Sequence, residues 1–95
     1  MNLGNRGSVT YTVQIKKSAL KVLRKLPTTV SKSLAKTINF LEKTPRPKGC
    51  KKLKGNENLY RIQQGDYRII YQVQDSVLII LIVIVGHRKM IYRKL

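Results

Sequence analysis

The sequence predicts an α+β fold in which two N-terminal helices pack on one face of a mainly antiparallel four- to five-stranded sheet, in the order β-α-α-β-β-β. Three observations carry this. The apolar period begins at two residues, changes to a helical period at Ser18, and returns to strand-like runs beyond the loop at 45–50. Pro27 divides the helical stretch into two. The β-rich second half is interrupted only by Gly55-Asn56, Gly65-Asp66 and Asp75-Ser76, breaks so short that they imply antiparallel hairpins.

Residues 1–8 read as a disordered lead-in and residues 9–95 as one domain, without repeats or low-complexity tracts. In the stretch 9–15, Val9, Tyr11, Val13 and Ile15 alternate with Thr10, Thr12 and Gln14, the pattern of a half-buried strand. From Ser18, the side chains of Ala19, Val22, Leu23 and Leu26 fall on one helical face and Lys21, Arg24 and Lys25 on the other. Thr28 or Thr29 is placed to cap the second helix, whose apolar stripe is Val30, Leu34, Ile38 and Leu41, and Pro45 and Pro47 end it. The two helices are expected to form a basic, antiparallel pair. The later runs are 51–54, 58–64, 67–74 and 77–85. The last is wholly apolar, too short for a membrane helix, which needs about 18 residues, and reads as a buried central strand ending at Gly86.

A chain of 95 residues holds one compact domain with one modest core. Its net charge is +16, from 20 Lys and Arg against four acids, and no acid precedes Glu42. The partner should therefore be strongly anionic. Nucleic acid, an acidic protein and an anionic membrane all meet that description, with nucleic acid preferred. Cys50 is the lone cysteine, so no internal disulfide forms, and no paired Cys and His spacing suits structural zinc. The expectation is a reducing cytosol, no metal and no cofactor. Nothing in residues 1–8 resembles a signal peptide.

A two-residue turn at Gly65-Asp66 sets Gln64 opposite Tyr67, Gln63 opposite Arg68 and Arg61 opposite Ile70. Arg61, Gln63 and Arg68 then share the open face, while Tyr60, Ile62, Ile69, Tyr71 and Val73 face the helices. A two-residue turn at Asp75-Ser76 likewise sets Arg68 opposite Val83, over an apolar floor of Leu81 and Val83. RNA is cut without metal when its own 2′-hydroxyl attacks the neighbouring phosphate, given proton transfer and charge stabilisation. Arg68 and Arg88 can each hold phosphate oxygens bidentately, and Arg61 adds a third cation. His87 is the single imidazole, the side-chain type suited to proton transfer near neutrality. Tyr92 offers a ring for an unstacked base. Lys51, Lys52 and Lys54, with Arg46 and Lys48, form the densest charge run and suit the tracking of an RNA backbone. Each has an ordinary alternative: solvation for the arginines and lysines, a turn role for His87, and core packing for Tyr92.

The runs Leu53-Lys54-Gly55, Tyr60-Arg61-Ile62, Gly65-Asp66-Tyr67-Arg68-Ile69-Ile70-Tyr71 and Gly86-His87-Arg88, followed by Tyr92, resemble the RelE/ParE toxin superfamily from Tyr11 onward. The resemblance implies a RelE-like fold and a toxin that cuts mRNA in the decoding site of the ribosome, using basic residues and neutralised by a cognate acidic antitoxin. Arg68 resembles the arginine that stabilises the scissile phosphate, Arg88 the arginine proposed as general acid, and Tyr92 the aromatic that stacks on a base. Arg61 stands where the family has a basic substrate-binding residue. Gln63 departs from the pattern, standing in for a lysine proposed as general base, and a neutral amide cannot take a proton there. His87, Lys52 and Lys54 are the substitutes, with His87 preferred. The tail after Tyr92 is too short for the long C-terminal helix of some relatives, and the antitoxin is expected to wrap the helical side and cover or distort the open face. Two other readings stay open: a ParE-like inhibitor of DNA gyrase, and a noncatalytic nucleic-acid-binding module.

Overall fold

A computed structural model describes residues 9–55 and 58–91, so the expected lead-in at 1–8 and the stacking residue Tyr92 lie outside the described residues. The elements are β1 (Thr12–Ile15), α1 (Lys17–Lys25), α2 (Thr28–Phe40), β2 (Lys51–Lys52), β3 (Leu59–Gln64), β4 (Tyr67–Gln74) and β5 (Ile79–His87). They form one five-stranded sheet in the order β1-β5-β4-β3-β2. β1 runs parallel to β5 and the other pairings are antiparallel. The long β1-to-β5 crossover places both helices on one face, as the sequence predicts.

β1 is shorter than its alternating pattern: the chain enters the sheet at Thr12, and the Tyr11 N–H is tied instead to the Glu42 carbonyl at 2.7 Å, just past α2. α1 buries Ala19, with Val22, Leu23 and Leu26 packed on the core and the Lys21, Arg24 and Lys25 face exposed. Leu26 is extended, at φ −78° and ψ 153°, because the proline after it excludes the helical region. The expected threonine cap is corrected. Pro27 occupies the cap position, its carbonyl accepting the Ser31 N–H at 2.9 Å, and no side chain caps the helix. α1 packs on β5 and α2 on β3, so contact with the sheet positions each helix. Leu34, Ile38 and Leu41 of the second helical stripe meet Tyr71, Val73, Ile80 and Ile82 in the core.

The β3–β4 hairpin has the register that the Gly65-Asp66 turn predicts, from Gln64 opposite Tyr67 to Leu59 opposite Gln72. The β4–β5 register does not. Arg68 stands opposite Gly86, not Val83, and two local features account for the displacement. The turn takes four residues, 75–78, closed by the Leu78 N–H on the Asp75 carbonyl, so Val77 and Leu78 leave the strand they were expected to begin. Between the pairs Ile70–Ile84 and Tyr71–Ile82, Val83 is an extra residue in a β-bulge. The expected Leu81 and Val83 floor beneath Arg68 is therefore replaced by the backbone of Gly86.

The face away from the helices has an apolar layer of its own. Ile70 and Ile91 are both fully buried yet lie outside the helix-side core. Residues 88–91 turn back over the end of β5, with the Met90 N–H on the His87 carbonyl, and the Ile91 Cδ1 lies 3.4 Å from where a Cβ on Gly86 would stand. The absence of a side chain at 86 is what lets Ile91 seat there.

Candidate nucleic-acid interface

Hairpin geometry builds the open face in two rows across the sheet. Lys51 is opposite Arg61, Arg61 opposite Ile70, and Ile70 opposite Ile84. In the next row Gln63 is opposite Arg68 and Arg68 opposite Gly86. Paired residues share a face, so Lys51, Arg61, Gln63 and Arg68 come together around buried Ile70. Cations resting on such a layer keep part of their surroundings dry, which strengthens their hold on a phosphate.

Gln63 is fastened at both ends of its amide. Its Nε2 donates to the Gly65 carbonyl at 2.9 Å, and its Oε1 accepts from the Arg68 Nε at 3.3 Å. The residue thus joins the turn to the arginine opposite and limits the directions in which the Arg68 guanidinium can point.

Arg88 is brought to the same hairpin tip by backbone. Its N–H donates to the Asp66 carbonyl at 2.8 Å, and its Nε stands 3.8 Å from the Asp66 carboxylate. Both side chains are at least half exposed, so this ion pair contributes little and the arginine remains available to a stronger anion.

His87 is not brought to this group. It is paired with Tyr67, and the two rings meet edge-on at 5.5 Å and 76°. Tyr67 packs on the helix-side core, so the imidazole lies on the sheet face opposite Arg68, and its Nδ1 accepts the Lys89 N–H at 3.1 Å. The lysine run divides as well. Lys52 is paired with Tyr60 and takes the other parity from Lys51, while Lys54 lies in the exposed turn before Gly55. Among the described residues, no three His, Cys, Asp or Glu side chains gather as a metal site would require.

The basic stretch 46–52 is held to the sheet by a network that the sequence gave no sign of. Arg46 forms a two-pronged pair with Asp75, at 2.7 and 3.2 Å, and its Nε donates to the Tyr60 hydroxyl at 2.7 Å while its guanidinium lies 5.1 Å from that ring's centroid. The Tyr11 hydroxyl donates to the same carboxylate at 2.6 Å. These partners hold the Asp75 carboxyl down to about 2, the Arg46 pair contributing most and the Tyr11 hydroxyl next. Fully buried Tyr71 donates its hydroxyl to the Pro45 carbonyl at 2.8 Å, and burial is the main reason that its ionisation is pushed well above the ordinary phenol value. Lys51 is thereby delivered beside Arg61.

Gln64, one residue from Gln63 and facing the helices, anchors the hairpin from behind. It accepts from the Thr37 hydroxyl at 3.0 Å and donates to the Ser33 hydroxyl at 2.9 Å, so α2 holds the strand that carries Arg61.

Known proteins share this arrangement. Residues 13–92 match the family model described as the ParE toxin of the type II toxin-antitoxin system, parDE. A putative toxin RelE1 of Methanocaldococcus jannaschii is 36% identical over 75 residues, covering 74% of this chain and 83% of that protein. The mRNA interferase toxin RelE of Escherichia coli K12 is 32% identical over 83 residues, covering 85% and 86%. Among solved structures, the archaeal RelE–RelB complex from Pyrococcus horikoshii superposes with a TM-score of 0.75 at 34% identity, covering 83% of this chain and 96% of the other. The intact E. coli RelBE complex gives 0.73 at 33% identity, covering 81% and 95%.

Proposed function

The chain belongs to the ParE toxin family of type II toxin-antitoxin systems, and we propose that it acts as a ribosome-dependent endoribonuclease that cuts mRNA and so halts translation. The carrying observation is the clustering of Lys51, Arg61 and Arg68 on the open sheet face, with Arg88 fixed at the edge of the same hairpin. The relatives that are at least 30% identical over most of the chain bear RelE names, one of them as an mRNA interferase.

In this reading the 2′-oxygen forms a bond to phosphorus as the bond to the 5′-oxygen breaks, leaving a cyclic phosphate and a free 5′-hydroxyl. Arg68, aimed by Gln63, binds the non-bridging oxygens where charge accumulates. Arg61 and Lys51 hold the adjoining backbone, and Arg88 stabilises the departing 5′-oxygen. Tyr92 stacks on a base, and Lys52 and Lys54 follow the strand beyond the face. Gln63 orients and does not take a proton, and His87 is turned toward Tyr67, so the face supplies charge while the 2′-proton passes to solvent. Such a site relies heavily on positioning, which the ribosome supplies by holding the mRNA in place. The partner between bouts of activity is a cognate acidic antitoxin, by analogy with relatives crystallised with RelB, and the setting is the cytoplasm.

The gyrase reading is kept because the matching family model bears the ParE name. Single-turnover cleavage on programmed ribosomes tests the proposal. Arg68→Ala should slow cutting by about two to three orders of magnitude, the cost of one preorganised charge donor. Equal rates for wild type and Arg68→Ala would refute it, and inhibition of DNA supercoiling without any cutting would select the gyrase reading.

A further inference from the structure

β5 is nine residues long, but β1 pairs with it only at residues 79–82. The Lys16 N–H closes that ladder on the Ile82 carbonyl at 2.9 Å, and the chain then turns into α1. Over residues 83–87, no described strand lies on the outer side of β5, although β4 is paired along its inner side. Half of a central strand is therefore an open edge, with backbone donors and acceptors directed outward.

A groove of about 250 Å³ runs along this edge beneath α1. Ala19, Val22, Val83 and Val85 give it apolar walls, and Lys16 and Ser18 stand at its mouth. Val83 is only half-buried, and Lys16, Lys17 and Lys21 are exposed. A surface of this kind takes an added strand: backbone hydrogen bonds supply affinity, alternate aliphatic side chains enter the groove, and the remaining ones meet the rim. The lysine rim, on a chain of net charge +16, requires those to be acidic.

We propose that residues 83–87 of β5, together with the first turns of α1, receive an extended segment of alternating aliphatic and acidic residues from the antitoxin, added to the sheet as a further strand. The toxin reading enters only in naming the antitoxin as the source. The surface is distinct from the arginine face, because it is an edge of the sheet next to α1, whereas Arg61 and Arg68 lie on β3 and β4.

The probe is a synthetic ten-residue peptide alternating valine and glutamate, titrated into the ¹⁵N-labelled full chain and followed by amide shifts. Shifts should appear at residues 83–87 and at the start of α1. Affinity should fall at least tenfold for the same peptide methylated at every backbone nitrogen, and by a similar factor for the exposed-site double variant Lys16→Glu, Lys21→Glu. Equal binding of the methylated peptide, shifts confined to the Arg61 and Arg68 face, or no shifts at millimolar peptide would each overturn the proposal. No RNA or ribosome enters this measurement, so its failure leaves the cleavage reading standing, and the reverse holds as well.

Discussion

Replacing Ile91 by alanine isolates the contact that folds the Arg88 turn back onto the sheet. Ile91 is fully buried, and its Cδ1 packs at ordinary contact distance over Gly86. Removing a buried isoleucine side chain to Cβ costs about 2–5 kcal/mol, and a site in a turn can partly collapse, so the lower end applies, about 2 kcal/mol. For a domain of this size that corresponds to a fall in Tm of roughly 10 °C by calorimetry or thermal circular dichroism. The neighbouring Met90→Ala should cost less than about 0.5 kcal/mol, since Met90 is 48% exposed. Gly86→Val approaches the same contact from below: its methyl groups need the space that Ile91 fills, and the loss should be similar. Both Ile91→Ala and Gly86→Val should also slow mRNA cleavage about tenfold, equivalent to about 1.4 kcal/mol of lost Arg88 placement. Unchanged stability in Ile91→Ala would refute the account of how the turn is held; lost stability with unchanged cleavage would refute its link to Arg88.

Three further outcomes are expected. Tyr71→Phe leaves the Pro45 carbonyl without its donor and should cost about 1–3 kcal/mol in urea unfolding, with a weaker KM for mRNA as the strap bearing Lys51 loosens. Asp75 is held at about 2 in the folded chain against an ordinary value of about 3.9. A depressed carboxyl contributes its stability above the unfolded value and loses it as pH falls through the folded one, so stability should drop between pH about 4 and about 2, and Asp75→Asn should flatten that step in an acid titration. Gln63→Ala should lower kcat about tenfold without altering the pH profile, whereas Gln63→Lys should add a pH-dependent limb to it; His87→Ala, on the opposite face, should cut within about threefold of wild type.

Both helices and the whole β3–β4 register were legible because their signals are local: a change of period at Ser18, a proline at 27, and a Gly-Asp pair that fixes a two-residue turn. The β4–β5 register was not, since two apolar residues of what reads as one continuous strand are used in the turn. Leu78 adopts φ +55°, a conformation that its side chain disfavours and that no propensity would assign to it. The bulge at Val83 adds one more residue inside a uniform run of Ile and Val, where nothing in the pattern marks it. The consequence falls on the site. Arg61, Gln63 and Arg68 lie on the expected face because they depend on β3–β4 alone. His87 depends on the hidden bulge, which turns it toward Tyr67. The Arg46–Asp75–Tyr11 network joins residues up to 64 positions apart, a coincidence that only the folded chain reveals.

The central claim is tested most directly by primer extension on mRNA incubated with the wild-type chain, free of antitoxin, with and without programmed ribosomes. The account predicts cuts at defined codon positions on ribosome-bound mRNA, none on naked mRNA, and their loss in Arg68→Ala. Intact message on ribosomes treated with folded protein, or equal cutting of naked RNA, would contradict it.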